Sequence, residues 1–146
     1  MRSGYSLIQE LSLASDYSVL VDVENLVSKV CEKLQLKEDT YGNILIAVTE
    51  AVNNAIEHGN KKQKDLTVDI KVYDSQSNFS FQIIDKGSGF NYNELPDPTA
   101  PENILKEDGR GIFLMKNLAD KVSFEYPGNI VEIQFSKWLI LRILVK

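Results

Sequence analysis

Cysteine and histidine are almost missing from this chain of 146 residues, with Cys31 and His58 the sole example of each. One thiol cannot build an internal disulfide framework, and one thiol with one imidazole leaves no ordinary zinc site. A reducing cytoplasm is the expected setting. Surplus positive charge is also absent: the formal net charge is -5, so direct binding to nucleic-acid phosphate is not expected. No apolar run is long enough to cross a membrane, and Met1 to Tyr5 opens no signal-peptide core. The expectation is a soluble protein.

Familiar catalytic signatures are missing too. There is no Gly-Lys-Ser/Thr phosphate loop, and Gly87-Ser88-Gly89 lacks the third glycine of a dinucleotide fingerprint. The same tripeptide is one residue too tight on each side for the nucleophile elbow of a serine hydrolase, and His58 lies in no His-Arg-Asp loop. What is present, 43% hydrophobic and 25% charged residues, fits one globular domain over 1–146 with an adequate core.

Tyr5, Leu7, Leu11 and Leu13 alternate loosely, which predicts an edge strand. From about Ser18, Val19, Val23, Leu26, Val27, Val30 and Leu34 recur at helical spacing, with Cys31 among them as packing. Lys37, Glu38, Asp39 and Thr40 offer caps for a long helix that ends at Gly59, a residue suited to a left-handed terminus. At about 100° per residue that helix places Asn43, Glu50, Asn53, Asn54 and Glu57 on one side and Ile44, Val48, Val52 and Ala55 on the other. Taken alone, this is also the pattern of an ordinary helix with a solvated face.

Leu66 to Tyr73 and Phe79 to Ile84 alternate strictly and predict a hairpin at the middle of a sheet. Asn91 to Asp108 has little periodicity and carries Pro96, Pro98 and Pro101, three of the chain's four prolines. So long a connection in a small domain is usually functional or mobile. A helix from Ile112 to Leu118 and strands near 121–126 and 130–135 complete the pattern. The tail from Trp138 to Lys146 is apolar and suits extension of the last strand, packing on a partner subunit, or contact with a membrane surface.

Three elements carry chemistry, in fixed order: the helix with Glu50 and Asn54, the strand end with Asp85, Gly87 and Gly89, and Gly109-Arg110-Gly111 at a helix start. Each alone is weak, since a strand-end aspartate before glycines is often a turn and a Gly-x-Gly before a helix is often a cap. Together, over about 26–135, they resemble the nucleotide-binding fold of the GHKL superfamily. Glu50 to Gly59 and Gly109 to Met115 are most similar to the stand-alone bacterial anti-sigma factor serine kinases.

The resemblance implies an α+β fold, the Bergerat-type two-layer α/β sandwich. Its sheet would be mixed but mostly antiparallel, with about three helices on one face and an ATP lid over about 91–108. It implies ATP and magnesium as cofactors, a homodimer, and two protein partners: a sigma factor and a small antagonist phosphorylated on serine. Asp85 would accept a hydrogen bond from the adenine amino group, where guanine would present a carbonyl oxygen to the same charge. Gly87 and Gly89 would let the backbone approach base and sugar, and Gly109 to Gly111 would offer N–H groups to the phosphates. Arg110, where many relatives have a smaller residue, either adds positive charge there or faces solvent. Asn54 would supply the protein ligand to magnesium, and Glu50 would act as base toward a protein hydroxyl or water. Asn53 and Glu57 share that face and are candidates for supporting or partner contacts, while His58 reads as a helix-end residue.

Two further classes compete. One is an ATP-binding regulatory module that switches partner affinity without phosphoryl transfer, against which Glu50 speaks because binding needs no base. The other is a structural domain without nucleotide, against which the joint presence of Asn54, Asp85 and the glycine pairs speaks.

Overall fold

The structure, a computed structural model, describes residues 4–87, 115–125 and 129–137. Strict alternation of apolar residues produces the sheet. Its strands are β1 (Ser6–Ala14), β2 (Thr67–Asp74), β3 (Asn78–Ile84), β4 (Lys121–Glu125) and β5 (Ile130–Ser136). Their spatial order is β1-β2-β3-β5-β4, and every neighbouring pair is antiparallel. β1 lies at an edge, as its loose alternation predicts, and β3 is central. The β2–β3 turn is closed by Ser75 N–H donating to the Asn78 carbonyl at 2.8 Å.

Val68, Ile70 and Val72, Phe79, Phe81 and Ile83, and Val131, Ile133 and Phe135 are buried on one sheet face. Phe79 and Phe135 stack at 5.4 Å, and Phe81 meets each of them edge-on at 6.3 Å. Two helices complete the core: α1 (Leu20–Lys33), entered through a 3-10 turn at Tyr17–Val19, and α2 (Glu38–Asn54). α1 buries Val23, Leu26, Val27, Val30 and Cys31; α2 buries Ile44, Ala47, Val48, Ala51 and Val52. A further helical stretch, 115–118, sets Met115 into the same core.

α2 starts within the run of candidate caps and departs from the sequence reading at its C-terminal end. Its N-cap is Lys37, with no side-chain cap bond, so Glu38 and Asp39 serve the first turn through their charge toward the helix dipole. At the other end the α-helical pattern stops at Asn54 and widens into one π-helical turn, Ala55–Gly59. The left-handed residues that follow are Lys61 (φ 51°) and Lys62 (φ 61°); Gly59 does not take that conformation. Gly59 is required for room instead.

Candidate functional site

The site is assembled where the π turn meets the end of β3. Ile84 is the last ladder residue, and Asp85 follows with its N–H donating to the Asn129 carbonyl at 2.9 Å. Gly87 turns back so that its N–H donates to Asp85 Oδ1 at 2.8 Å. A Cβ on Gly59 would lie 2.7 Å from Asp85 Oδ1 and closer still to the rest of the carboxylate. A Cβ on Gly87 would lie 2.7 Å from the carbonyl carbon of Gly59 and overlap its oxygen. Both positions therefore exclude any side chain, for lack of space.

Asp85 is 4% exposed. Burial pushes its carboxyl above the ordinary 3.8, partly opposed by the Gly87 N–H and the positive charge of Lys86. Lys86 itself reaches away from the site to pair with Asp69. Burial would raise Asp69 as well, but hydrogen bonds from Lys86 and Ser12 outweigh it and hold that carboxyl low.

Glu50 and Asn54 are both within α2, four residues apart on one face, Glu50 half-buried and Asn54 8% exposed. Asn54 Nδ2 and Asn53 Oδ1 are buried without a hydrogen-bond partner among the described residues. Such a group costs about 1–3 kcal/mol unless a partner outside the described residues completes it. Rotation of the Asn54 amide about its last bond exchanges its two ends, so the same position presents nitrogen or oxygen. Orphaned amides on α2 and a side-chain-free cradle around Asp85 are the features expected of a site whose ligand supplies the missing partners.

The π turn removes Glu57 from this set. The wider turn breaks the 100° progression after Asn54, and Glu57 instead accepts a hydrogen bond from the Tyr17 hydroxyl. His58 Nε2 lies 3.8 Å from the other Glu57 oxygen, and Lys62 Nζ lies 5.9 Å from the Tyr17 ring centre. Gly89, Gly109, Arg110 and Gly111, the 91–108 segment and the tail from Trp138 fall outside the described residues. Among the described residues no three His, Cys, Asp or Glu side chains gather as a metal site. A cavity of about 530 Å³ beside Cys31, Leu36 and Tyr41 lies at the opposite end of α2 from Asp85.

Sequence reasoning missed Asn60. It is 1% exposed, and its side chain bridges Ser15, Thr67 and the Lys86 backbone. No local pattern marks it, because those partners are scattered along the chain; a polar residue directly after Gly59 was the only available hint.

Residues 13–135 match the family described as the histidine kinase-like ATPase domain. The chain belongs to that family. Among curated members it is similar to the serine-protein kinase RsbW of Staphylococcus aureus, 35% identical over a 103-residue alignment that covers 64% of this chain and 63% of the relative. RsbW of S. aureus strain MRSA252 is 34% identical over 102 residues, with the same shares. The match thus spans about 63% of the length of these relatives. Among solved structures, the RsbU and RsbW domains of a Mycobacterium tuberculosis protein align with a TM-score of 0.59 at 14% identity, covering 88% of this chain and 32% of that one. This likeness supports the histidine kinase-like fold: α+β, with helices packed on an open five-stranded sheet.

Proposed function

We propose that the protein is an ATP- and magnesium-dependent serine kinase of the anti-sigma factor type, acting as one domain over 1–146. In this reading it is a cytoplasmic homodimer that binds a sigma factor and phosphorylates a small antagonist protein on serine. The observation that carries the reading is the pairing of Glu50 and Asn54 on one face of α2 in a chain similar to proteins named serine-protein kinase.

Asp85 accepts a hydrogen bond from the adenine amino group, its carboxylate set by the close packing of Gly59 and Gly87 against it. Asn54 would hold the magnesium ion through its amide oxygen. The bound metal supplies charge neutralisation at the phosphates. Glu50, one turn earlier, orients the acceptor hydroxyl and takes its proton as the oxygen bonds to the terminal phosphorus of ATP and ADP leaves. In so loose a transfer the proton departs late, so position matters more than basicity.

The test incubates the protein with labelled ATP, magnesium and the small proteins encoded beside it, and looks for labelled serine. Glu50→Gln should bind ATP as before and lose transfer by about 100-fold or more. Transfer at an undiminished rate removes Glu50 as base. Nucleotide-dependent complex formation without any label turns the conclusion to a regulatory module that switches partner binding without phosphoryl transfer.

A further inference from the structure

We propose that Asn60 is a positioning residue for base selection, holding Asp85 and Gly87 in place through the Lys86 backbone. The inference rests on Asp85 as the group that reads the base.

Asn60 uses its whole amide. Nδ2 donates to Ser15 Oγ at 2.8 Å and to the Thr67 carbonyl at 3.0 Å, and Oδ1 accepts the Lys86 N–H at 2.7 Å. Its orientation is fixed by its partners: an N–H can only donate and a carbonyl can only accept, so oxygen must face Lys86 and nitrogen Thr67. The backbone of Asn60 is committed as well, donating to Ala55 at 2.8 Å and accepting from Gln63 at 3.0 Å. Ser15 is anchored in turn, its hydroxyl donating to the Leu66 carbonyl at 2.6 Å.

The bond to Lys86 therefore joins two neighbours of one close contact. Gly59 precedes Asn60, and Asp85 and Gly87 flank Lys86. The Gly59 backbone is packed directly against the Asp85 carboxylate and against Gly87. Fixing Asn60 to Lys86 N–H fixes the Asp85 carboxylate relative to the π turn, and hydrogen-bond strength at a base edge falls steeply with angle. Discrimination between an amino group and a carbonyl oxygen on the base depends on that alignment.

Binding of Mg-ADP and Mg-GDP to the full chain, measured by titration calorimetry, gives the preference as a ratio of Kd values. Asn60→Ala should shrink the adenine preference about tenfold. Asn60→Asp retains an acceptor for Lys86 N–H and should hold the preference within about twofold, despite a lower Tm from an oxygen facing Thr67. Ser15→Ala should lower Tm and leave the preference intact. A merely structural role would instead order all three variants by stability. If Asp85→Asn abolishes the preference and Asn60→Ala leaves it, the positioning role is wrong while the base reading stands. If Asp85→Asn leaves it, the base reading fails and this inference with it. Should Asn60→Ala not fold by far-UV circular dichroism, Asn60→Asp decides: loss of preference in the folded variant overturns the proposal.

Discussion

The two helices end in opposite styles. α1 closes by local rules: Leu36 N–H reaches the Cys31 carbonyl at 2.9 Å, Gln35 N–H reaches Glu32 at 3.2 Å, and exposed Gln35 takes the left-handed position with φ 54°. Nothing beyond the helix is needed to explain it. α2 closes through a π turn, two left-handed lysines and a buried asparagine, and spends its glycine on clearance beside a carboxylate. A helix end free of other duties takes the standard solution. One that shapes a site accepts strain, which α-helical turns widened in this way frequently mark.

That contrast can be broken most forcefully at Gly59. Gly59→Ala places a methyl group inside the Asp85 carboxylate, and overpacking against a backbone-anchored neighbour should cost about 3 kcal/mol in chemical denaturation, with loss of nucleotide binding. A cost below about 0.5 kcal/mol would mean that the contact yields easily.

A smaller effect, with a pH signature, is expected at Asp85. Its pKa is raised in the folded state, so the folded chain binds the proton more tightly than the unfolded one. The associated stability is fully present below the unfolded value near 3.8 and is lost as pH rises through the higher folded value. Asp85→Asn cannot lose it. The variant should therefore melt higher than the parent at neutral pH, by on the order of 1 kcal/mol or about 2–4 °C, and the gap should close toward pH 3. Parallel melting curves across that range would remove burial as the cause.

The mildest change sharpens the other side of the comparison. Gln35→Gly removes the left-handed penalty at the α1 terminus while adding unfolded-state freedom, leaving a net gain of about 0.5 kcal/mol in thermal melts. No effect on nucleotide binding should accompany it, in contrast to Gly59→Ala.

The parts of the fold governed by local repetition were legible in the sequence. Val68, Ile70, Val72 and Phe79, Phe81, Ile83 alternate as a two-faced hairpin must, and the α2 apolar positions mark its core face. Asp85 and Gly87 were legible as candidates because their spacing is itself the motif. Gly59 was misread, since a glycine needed for positive φ and one needed for clearance look alike until the opposing group is known. Asn60 was invisible for a related reason: its meaning lies in Ser15 and Lys86, at sequence separations of 45 and 26.

Those separations carry a consequence for how the chain assembles. Ser15 directly follows β1, whose attachment to β2 closes a loop of some fifty residues, and long closures are expensive early in folding. One anchor of Asn60 thus arrives only when the edge strand has zipped onto the sheet. Fraying of β1, an edge strand with a single neighbour, withdraws that anchor again. The stability of the sheet's rim and that of the turn carrying Asn60 are thus coupled, which is why loss of the Ser15 hydroxyl should be felt in Tm.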